Sequence, residues 1–312
     1  MTCLKRSCKQ IFARGTNWFL ALLTIALVLT ACSPSGQTPV NYVFDDLGRL
    51  VAINGTPQRI ISLAPSNTEI LFALGLGDKV VGVTDWCDYP PEALNKTKVG
   101  GYENPDIEKI VALNPDLVLI AHGTPMDVIN NLVGLGLTVF GIKTTDLDDL
   151  LNDIRRIGEI TDKEMEAQAL TSDMESRIQA VTNATSELEQ RPRVFYIVWH
   201  DPLWTAGSGT FIHELIEKAG GVNICQNISG YKTISIEDVL ARDPEIIITS
   251  EWSYDWARNE TGPLANTNAS QTGRIYTCDD DLVQRPGPRL VEGLEWFAYF
   301  IHPEIFGEPG GS

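Results

Sequence analysis

The sequence predicts an α/β protein with two Rossmann-like lobes, each built on a mostly parallel sheet, joined by a long connecting α-helix and separated by a cleft. Three observations support this prediction. A helical block without proline lies near the middle of the chain, short β-branched runs alternate with helices on both sides of it, and two segments on opposite sides match at one fixed offset. Alternating strand and helix signals are typical of βαβ units on a parallel sheet.

The central block is residues 146–190, which contain no proline and a single glycine. Apolar residues recur at helical spacing from Leu147 to Ile157 and again further along the block. We expect one helix to end near Ile160 and a longer one to run from about Lys163 to Glu189. The block is therefore predicted to be the connector between the lobes.

The two α/β lobes are predicted at residues 58–145 and 191–312. Their predicted strands are short runs rich in β-branched residues: Ile60–Leu63, Val80–Val83, Leu117–Ala121 and Thr138–Ile142, then Val194–Val198, Ile246–Thr249 and Ile275–Cys278. Open parallel sheets bind small molecules beyond the carboxyl ends of their strands. We therefore expect the loops at those ends to line the cleft.

An internal repeat relates the two lobes. The segment from Glu108 to Asn114, followed by Pro115 and an apolar run, matches the segment from Glu237 to Asp243, followed by Pro244 and a similar run. Both pairs of matching positions are 129 residues apart, since 237 − 108 and 244 − 115 give the same value. A helix, a proline break and a buried strand in the same order indicate an internal duplication.

The first 31 residues have the features of an export signal. They carry Lys5, Arg6, Lys9 and Arg14, no acidic residue, and then the apolar run Trp18–Leu29, which is shorter than the roughly 20 residues of a spanning helix.

The signal ends in Leu29-Thr30-Ala31-Cys32, which resembles a bacterial lipobox. Cys32 is then the lipidated first residue of the mature chain, and residues 32–57 are this cysteine, a tether and an N-terminal extension. The alternative is an ordinary secreted protein with a chance cysteine at the cleavage site. With the lipid, the protein is expected to be held at the cell membrane, facing the extracellular or periplasmic side.

The mature chain is strongly acidic. Removing the four basic residues of the signal leaves 20 Lys and Arg against 41 Asp and Glu, a formal charge of −21. Such a field repels polyanions, and no basic run with interleaved aromatic residues occurs in the sequence. Nucleic acid is therefore excluded as a partner.

Three of the six cysteines remain after the signal and the lipid attachment site are set aside: Cys87, Cys225 and Cys278. The exported compartment permits a disulfide, for which Cys225 and Cys278 are the candidate pair because both fall in the second lobe. Three unpaired, buried thiols are the alternative.

The loops predicted to face the cleft are rich in aromatic residues. The candidate ligand-binding residues are Trp86, Tyr89, Tyr102, Trp199, Trp204, Tyr231 and Trp252. Exposed loops usually favour small polar residues, so these rings indicate a large, flat or bulky ligand. Some of them are instead expected to hold their own loops together.

Catalytic motifs are absent from the sequence: there is no G-x-S-x-G, phosphate loop, H-E-x-x-H or C-x-x-C. A hydrolase using Ser66 with His200 and Asp201 lacks any supporting motif. The protein is predicted not to be an enzyme.

The candidate ligands for a dedicated metal site are His122 and His200, which follow strands of opposite lobes, and the carboxylates of Glu251 and Asp281. Such sites usually recruit a third nitrogen or clustered carboxylates, and the first turn offers Asn67 and Thr68 instead. We predict no metal site and no cofactor beyond the bound ligand.

Several segments together resemble the helical-backbone class of ABC-transporter solute-binding proteins, especially its cobalamin-binding members. They are Ser62–Glu69, Cys87–Pro91, Ile107–Asp116, Gly220–Ile224 and Val239–Pro244, within a resemblance that covers roughly residues 58–305. The resemblance implies a corrinoid ligand, cobalamin or cobinamide, held by Tyr89, Tyr102, Trp204, Tyr231 and the region of Asp281. The family's disulfide positions correspond to Ala219 and a helix without cysteine, so that bridge is absent.

The runner-up ligand within this class is a ferric siderophore or haem. Haem calls for a tyrosine or histidine ligand, and an anionic siderophore for arginines, of which Arg274, Arg285 and Arg289 are available.

The resemblance also implies that one exposed glutamate on each lobe contacts the permease. Glu108 and Glu237 match these positions, and their equivalence under the repeat suits a permease with two-fold symmetry. By itself, a glutamate in a helix's first turn is more often a partner of the helix dipole. The expected partners are thus the ABC permease and ATPase subunits, a small-molecule ligand and the membrane, with the protein itself a monomer.

Overall fold

The computed structural model describes residues 40–310, of which residues 41–310 belong to one compact unit. The predicted signal segment and the lipid attachment site at Cys32 lie outside the described residues. In the described part of the chain, no helix combines the length and apolar character needed to cross a membrane.

The first lobe is built on a five-stranded sheet. Its strands are β3 (Ile60–Ser62), β4 (Val80–Val83), β5 (Thr97–Lys98), β6 (Leu117–Ala121) and β7 (Val139–Ile142). They are arranged in the order β5-β4-β3-β6-β7, and every neighbouring pair is parallel. Its helices are α1 (Pro65–Ala73), α2 (Ile107–Ala112) and α3 (Met126–Gly134), with short 3₁₀ turns at Gly77–Lys79 and Pro91–Asn95. The strand predictions for this lobe are confirmed.

A two-stranded sheet precedes this lobe, formed by β1 (Val40–Phe44) and β2 (Leu50–Asn54). These two strands were not predicted from the sequence. Asp45 organises the turn between them, since its Oδ1 accepts hydrogen bonds from the backbone N–H of Leu47 (3.1 Å) and Arg49 (2.8 Å). The same carboxylate accepts from the N–H of Gly141 on β7, which attaches the turn to the first lobe.

The connector consists of α4 (Leu147–Thr161) and α5 (Glu164–Thr185). The carboxylate of Asp146 caps α4 by accepting from the N–H of Asp149 at 2.7 Å, and the helix ends where Asp162 adopts a left-handed conformation. Both predicted helices are present, although α5 ends at Thr185, before the expected Glu189.

The second lobe has a mixed six-stranded sheet. Its strands are β8 (Arg193–His200), β9 (Leu203–Ala206), β10 (Val222–Asn223), β11 (Tyr231–Thr233), β12 (Ile246–Thr249) and β13 (Ile275–Thr277). The order is β11-β9-β8-β12-β13, with β10 also paired to β8. Strand β9 is antiparallel to both β8 and β11, and the other pairs are parallel. Its helices are α6 (Phe211–Lys218), α7 (Ile236–Arg242), α8 (Glu251–Ala257), α9 (Asn268–Thr272), α10 (Asp280–Gln284) and α11 (Leu290–Ile301).

Three aromatic residues that were expected in loops lie on strands of this sheet: Trp199 on β8, Trp204 on β9 and Tyr231 on β11. The prediction of loop positions was wrong. Strand β8 continues to His200, two residues beyond the predicted end, so it includes Trp199. Strands β9 and β11 are not runs of β-branched residues, so the signal that predicted the other strands is missing from them.

One hydrophobic core runs through both lobes and the connector. Buried residues of the first sheet such as Ile60, of α4 such as Ile154 and Ile157, and of the second sheet such as Val194 and Ile246 all belong to the same contiguous cluster. Two smaller clusters fill the other face of each sheet. The lobes are therefore joined by packed side chains as well as by the chain itself.

The repeat predicted from the sequence is present in the fold. Helix α2 and strand β6 correspond to α7 and β12 at the predicted offset, since 236 − 107 and 246 − 117 both equal 129. Asn114 and Asp243, the residues before the matching prolines, both adopt positive φ, of 46° and 43°.

An arginine makes equivalent contacts in each copy of the repeat. The Arg59 Nε donates to the carbonyls of Leu113 (3.0 Å) and Asn114 (3.1 Å) at the end of α2. In the second lobe, Arg193 Nε donates to the matching carbonyls of Arg242 (3.2 Å) and Asp243 (2.9 Å) at the end of α7. The two arginines thus hold the two helices against their sheets in the same way.

The three cysteines of the described region are buried and unpaired. Cys225 and Cys278 belong to different core clusters, so the disulfide alternative is not realised.

Candidate ligand-binding cleft

A cavity of about 620 Å³ lies between the lobes, at the carboxyl ends of β3, β4 and β6. We call it the inter-lobe cavity. Its first-lobe lining comes from the end of β6 and from the segments that follow these strands and β5. Its second-lobe lining comes from the end of α10 and the segment after it. The lining residues are Ala64–Ser66, Trp86, Gly101–Asn104, Ala121 and His122, then Gln284–Pro286. This is the position that the parallel first sheet predicts for a binding site.

Two of the predicted ligand-binding aromatic residues meet in this cavity. Trp86 is 67% exposed, so its indole surface is available to a ligand. Tyr102 is more constrained, since its hydroxyl donates a hydrogen bond to the carbonyl of His122. Burial and the nearby carboxylate of Glu103 raise the pKa of Tyr102, so its phenol stays protonated at neutral pH. With its hydroxyl engaged, Tyr102 offers a ligand mainly its ring.

Charged residues cross the gap between the lobes beside this cavity. Glu69 on α1 is only 3% exposed, and Arg289 of the second lobe donates to it from Nε (3.0 Å) and Nη2 (2.6 Å). Burial raises the pKa of Glu69, and the hydrogen bonds and positive charge of Arg289 oppose that shift. The two-bond pairing holds the two side chains in one fixed arrangement.

Arg285 makes a second link between the lobes. Its Nη1 donates to Asp88 of the first lobe at 2.6 Å, and its Nε lies 2.8 Å from Asp281 of its own lobe. The hydrogen bond from Arg285 lowers the pKa of Asp88, whereas burial raises that of Asp281. We call Glu69, Asp88, Asp281, Arg285 and Arg289 the inter-lobe ion cluster.

Tyr89 lies on the other side of this cluster. Its ring packs under Arg289, with the guanidinium carbon 3.8 Å from the ring centroid, a cation–π contact. Tyr89, Glu69 and Arg289 line a second cavity of about 770 Å³. Since Arg285 lines the inter-lobe cavity, the ion cluster lies between the two cavities. Tyr89 is thus placed apart from Trp86 and Tyr102.

The aromatic residues of the second lobe share one face of its sheet. Trp199 is the cross-strand partner of Trp204, and Trp204 is the partner of Thr233 on β11, two residues from Tyr231. Residues directly opposite each other on paired strands point to the same face, as do residues two apart on one strand. Trp199, Trp204 and Tyr231 therefore form an aromatic surface, which lies outside the lining of the inter-lobe cavity.

Asp280 links β8 of the second lobe to a residue of the cavity lining. Its carboxylate accepts hydrogen bonds from the Tyr196 hydroxyl (2.9 Å) and from Nε2 of Gln284 (2.9 Å), which lines the inter-lobe cavity. Burial and the charge of Asp280 raise the pKa of Tyr231.

Trp252, in the first turn of α8, is 71% exposed and is not part of the cavity lining. Its role remains a prediction, as do the roles of the other predicted binding residues.

His200 is engaged within the second lobe. Its Nδ1 is 2.9 Å from the hydroxyl of buried Ser253, and its ring stacks between Trp199 and Trp256. Ser66 lines the cavity instead, so the hydrolase pairing of Ser66 with His200 does not form. Across residues 40–310, no three His, Cys, Asp or Glu side chains come together in a way that could hold a metal ion.

Glu69 and Asp88 were not predicted as site residues, and Arg285 and Arg289 were predicted only as arginines available to an anionic siderophore. A signal was present, since Glu69 is the one charged residue of the helix from Pro65 to Ala73. Its partner on the opposite lobe could not be assigned without the tertiary structure.

Glu108 and Glu237 lie in the first turns of α2 and α7, and both are exposed. Asp106 and Ser235 cap the two helices at positions that also differ by 129, since 235 − 106 gives the offset. Each helix leads into a strand of a parallel pair and runs against the strand direction. Its first turn therefore lies at the carboxyl edge of the sheet, the edge that bears the cleft.

Two α/β lobes with a cleft at the strand ends and a shared helical connector define a bilobal solute-binding protein. Residues 60–282 match the family described as periplasmic binding protein, and the chain belongs to this family. Members of the family are solute-binding proteins of ABC transporters, which deliver ligands to permease and ATPase partners and are not enzymes.

Particular relatives agree with this assignment. The chain is 34% identical over 308 residues to an uncharacterized ABC transporter substrate-binding lipoprotein, YvrC, of Bacillus subtilis, covering 92% of this chain and 97% of YvrC. It is 33% identical over 246 residues to the vitamin B12-binding protein of Vibrio cholerae, covering 78% and 89% of the two chains.

Solved structures give the same fold. The periplasmic vitamin B12-binding protein BtuF of Vibrio cholerae matches with a TM-score of 0.71 and 32% identity, over 79% of this chain and 97% of that one. The periplasmic haem-binding protein RhuT of Roseiflexus sp. RS-1 also matches, with a TM-score of 0.71 and 26% identity, over 80% and 99% of the two chains.

Proposed function

We propose that this protein is the lipid-anchored, extracytoplasmic receptor of an ABC importer and that its ligand is a corrinoid, cobalamin or cobinamide. The observation that carries the ligand class is the 33% identity to the vitamin B12-binding protein of Vibrio cholerae, which covers 78% of this chain and 89% of that protein. The anchoring is supported by the lipobox at Cys32 and by the likeness to the lipoprotein YvrC.

The cavity suits such a ligand in its chemistry. A corrin ring is large and has two broad faces, which aromatic side chains can cover with little loss of conformational freedom. Trp86 and Tyr102 supply rings within the cavity lining, whereas Trp204 and Tyr231 lie outside that lining on the sheet of the second lobe. Gln284 and the backbone around Gly101 add hydrogen-bonding groups for amide substituents.

Delivery to the permease is assigned to Glu108 and Glu237. Both carboxylates are exposed, they occupy equivalent positions of the repeat, and both lie at the cleft edge of their sheets. Two equivalent acidic contacts match a permease whose two halves present equivalent basic groups.

Haem is the alternative ligand, and His122 is the observation that favours it. Its side chain lies in the lining of the inter-lobe cavity, and a histidine nitrogen is a common axial ligand of haem iron. The similarity to the haem-binding RhuT supports the same alternative.

Equilibrium dialysis of the purified protein against cyanocobalamin, cobinamide and haem distinguishes the two ligands. A corrinoid is expected to bind with one molecule per chain, with a shifted absorbance spectrum, and to be retained through gel filtration. Retention of haem alone, with a spectrum that changes in a His122→Ala variant, would replace the corrinoid by haem. Met165, an exposed residue in the first turn of α5, provides the control variant Met165→Ala.

A further inference from the structure

The ribbon formed by β1 and β2 has two apolar faces. Val51 and Ile53 are buried and belong to the core that joins the lobes, and Val43 packs against it. On the opposite face lie Tyr42 and Phe44, each 63% exposed, and Leu50, which is 57% exposed. Because side chains alternate along a strand, these three share the outer face of the ribbon.

Such an outer face is unusual for a surface in water. An antiparallel ribbon packed on one side normally alternates apolar residues inward with polar residues outward. Scattered apolar residues are common on surfaces, but adjoining large ones usually mark an interaction site. Two paired strands bring Tyr42, Phe44 and Leu50 next to one another, so we expect a partner to cover this face.

The chain before the ribbon limits what that partner can be. Residues 33–39 are Ser, Pro, Ser, Gly, Gln, Thr and Pro, so this segment has no large apolar side chain to cover the face. From Cys32 to Val40 there are eight steps along the chain. At full extension they span at most about 29 Å, which keeps the ribbon close to any membrane that holds the lipid on Cys32.

Local charge does not oppose contact with a membrane, although the mature chain is acidic overall. The two acidic residues of the ribbon's turn are neutralised by arginines: Asp45 pairs with Arg49 at 2.5 Å, and Asp46 pairs with Arg156 of α4. Aromatic side chains are also enriched at the boundary between lipid headgroups and acyl chains.

We propose that Tyr42, Phe44 and Leu50 insert into the headgroup region of the bilayer that anchors the chain. This inference rests on the lipidation of Cys32 in the proposed function. The lipid on Cys32 holds the ribbon beside the bilayer, where burial of apolar side chains in the headgroup region adds to the strength of membrane binding. The contact fixes which side of the first lobe faces the membrane when the protein is not engaged with its permease.

The test uses the lipidated protein in phosphatidylcholine vesicles. An environment-sensitive fluorophore is attached to Tyr42→Cys or, as a matched control, to Met165→Cys on α5. Cys87, Cys225 and Cys278 are buried, so labelling is confined to the introduced residue. Spin-labelled lipid is expected to quench the fluorophore at position 42 several-fold more than the one at position 165.

Adding Phe44→Lys and Leu50→Lys to the labelled Tyr42→Cys protein is expected to reduce quenching to the control level. Melting curves and ligand affinity should stay unchanged, because both side chains are exposed. Equal quenching at positions 42 and 165, or quenching that survives the lysines, would overturn the proposal.

Two further readouts complete the test. If energy transfer between labelled chains accounts for the fluorescence change, the outer face of the ribbon contacts a second copy of the protein. That result would overturn the proposed membrane contact. A mass spectrum without lipid on Cys32 would overturn both the anchoring and this inference. Ligand binding is measured in a separate experiment, so the proposed ligand is tested independently of the anchoring.

Discussion

Arg289 of the second lobe and Glu69 of the first form a two-bond ion pair across the cleft, with donor–acceptor distances of 3.0 and 2.6 Å. Glu69 lies on a helix that packs beneath the cleft and is almost inaccessible to solvent. Arg289 also covers the ring of Tyr89. One guanidinium thus satisfies a buried carboxylate and orders an aromatic residue of the opposite lobe.

Breaking this pair is expected to destabilise the fold. Arg289→Met removes both hydrogen bonds to the buried Glu69 carboxylate and leaves only Arg285, whose Nη1 lies 3.9 Å away. The cost should therefore be at or somewhat below the roughly 3–5 kcal/mol that is typical for breaking a buried ion pair. Glu69→Gln should cost less, because Arg289 keeps partial contact with solvent. Urea unfolding of the single and double variants would measure the coupling between the two side chains.

The exposed ion pair between Asp255 on α8 and Arg258, the residue after this helix, provides a matched control. Arg258→Met should change the free energy of unfolding by less than about 1 kcal/mol. An equally small effect for Arg289→Met would show that the inter-lobe pair adds little to stability.

Ligand binding is expected to change the lobe separation very little. The continuous core through the connector and the ion cluster both join the lobes, and bending α5 would break backbone hydrogen bonds that must then be satisfied elsewhere. Small-angle scattering profiles with and without ligand should nearly superimpose. A marked contraction on binding would contradict this expectation.

Aromatic side chains of both lobes are expected to contact the ligand. Trp86→Ala removes a ring from the inter-lobe cavity, and Trp204→Ala removes one from the second-lobe sheet. Each should weaken binding about tenfold to a hundredfold, because a stacked aromatic residue typically contributes 1–3 kcal/mol. Titration of the purified variants would measure this.

Met165→Ala, an exposed position on α5, should leave affinity unchanged. If Trp86→Ala weakens binding and Trp204→Ala does not, the ligand is confined to the inter-lobe cavity. A lowered melting temperature for Trp204→Ala would instead mark Trp204 as a packing residue.

Docking is expected to depend on Glu108 and Glu237 together. Replacing both by arginine should leave folding and ligand affinity close to those of the parent protein, because both side chains are exposed. Like charges facing the permease cost several kcal/mol in an interface, so uptake in cells should fail. The control is Asp238→Arg, at the exposed neighbouring position. If the double variant still supports uptake, Glu108 and Glu237 do not dock the permease and act only as partners of the helix dipoles.

Stability is expected to depend on pH through Asp153 of α4. Burial raises the pKa of its carboxyl from 3.8 to about 7, opposed by a hydrogen bond from Thr144 and assisted by the charge of Asp46. Between pH 4 and pH 7 the folded protein keeps a proton there that the unfolded chain has lost. Asp153 therefore makes the free energy of unfolding fall as pH rises through this window, by at most about 1.4 kcal/mol per pH unit.

Asp153→Asn should remove this contribution while it keeps an acceptor for Thr144. The difference between the two proteins in urea unfolding should thus grow as pH rises from 4 to 7 and become constant above it. Asp148→Asn, at an exposed position of the same helix, should show no such trend. A constant difference for Asp153→Asn would mean that the carboxyl is ionised throughout.

The sequence by itself determined the lobes, the connector and the repeat, because each depends on patterns that repeat along the chain. Alternation of β-branched runs with helices predicted the strands of the first lobe, and the offset between Glu108 and Glu237 predicted equivalent helices. These signals are local, since hydrophobic periodicity and proline breaks act on neighbouring residues. Strands β9 and β11 were missed because Leu203–Ala206 and Tyr231–Thr233 are not runs of buried β-branched residues, the signal that predicted the other strands.

Only the tertiary structure decided which side chains meet across the cleft. Arg289 and Glu69 are 220 residues apart in the chain, and no local pattern relates them. The same holds for the separation of Tyr89 from Trp86 and Tyr102, which follows from the way Arg289 packs on the Tyr89 ring. Such contacts depend on the orientation of one lobe relative to the other. The shared core sets that orientation, because burying the connector against both sheets permits a single arrangement of the two lobes.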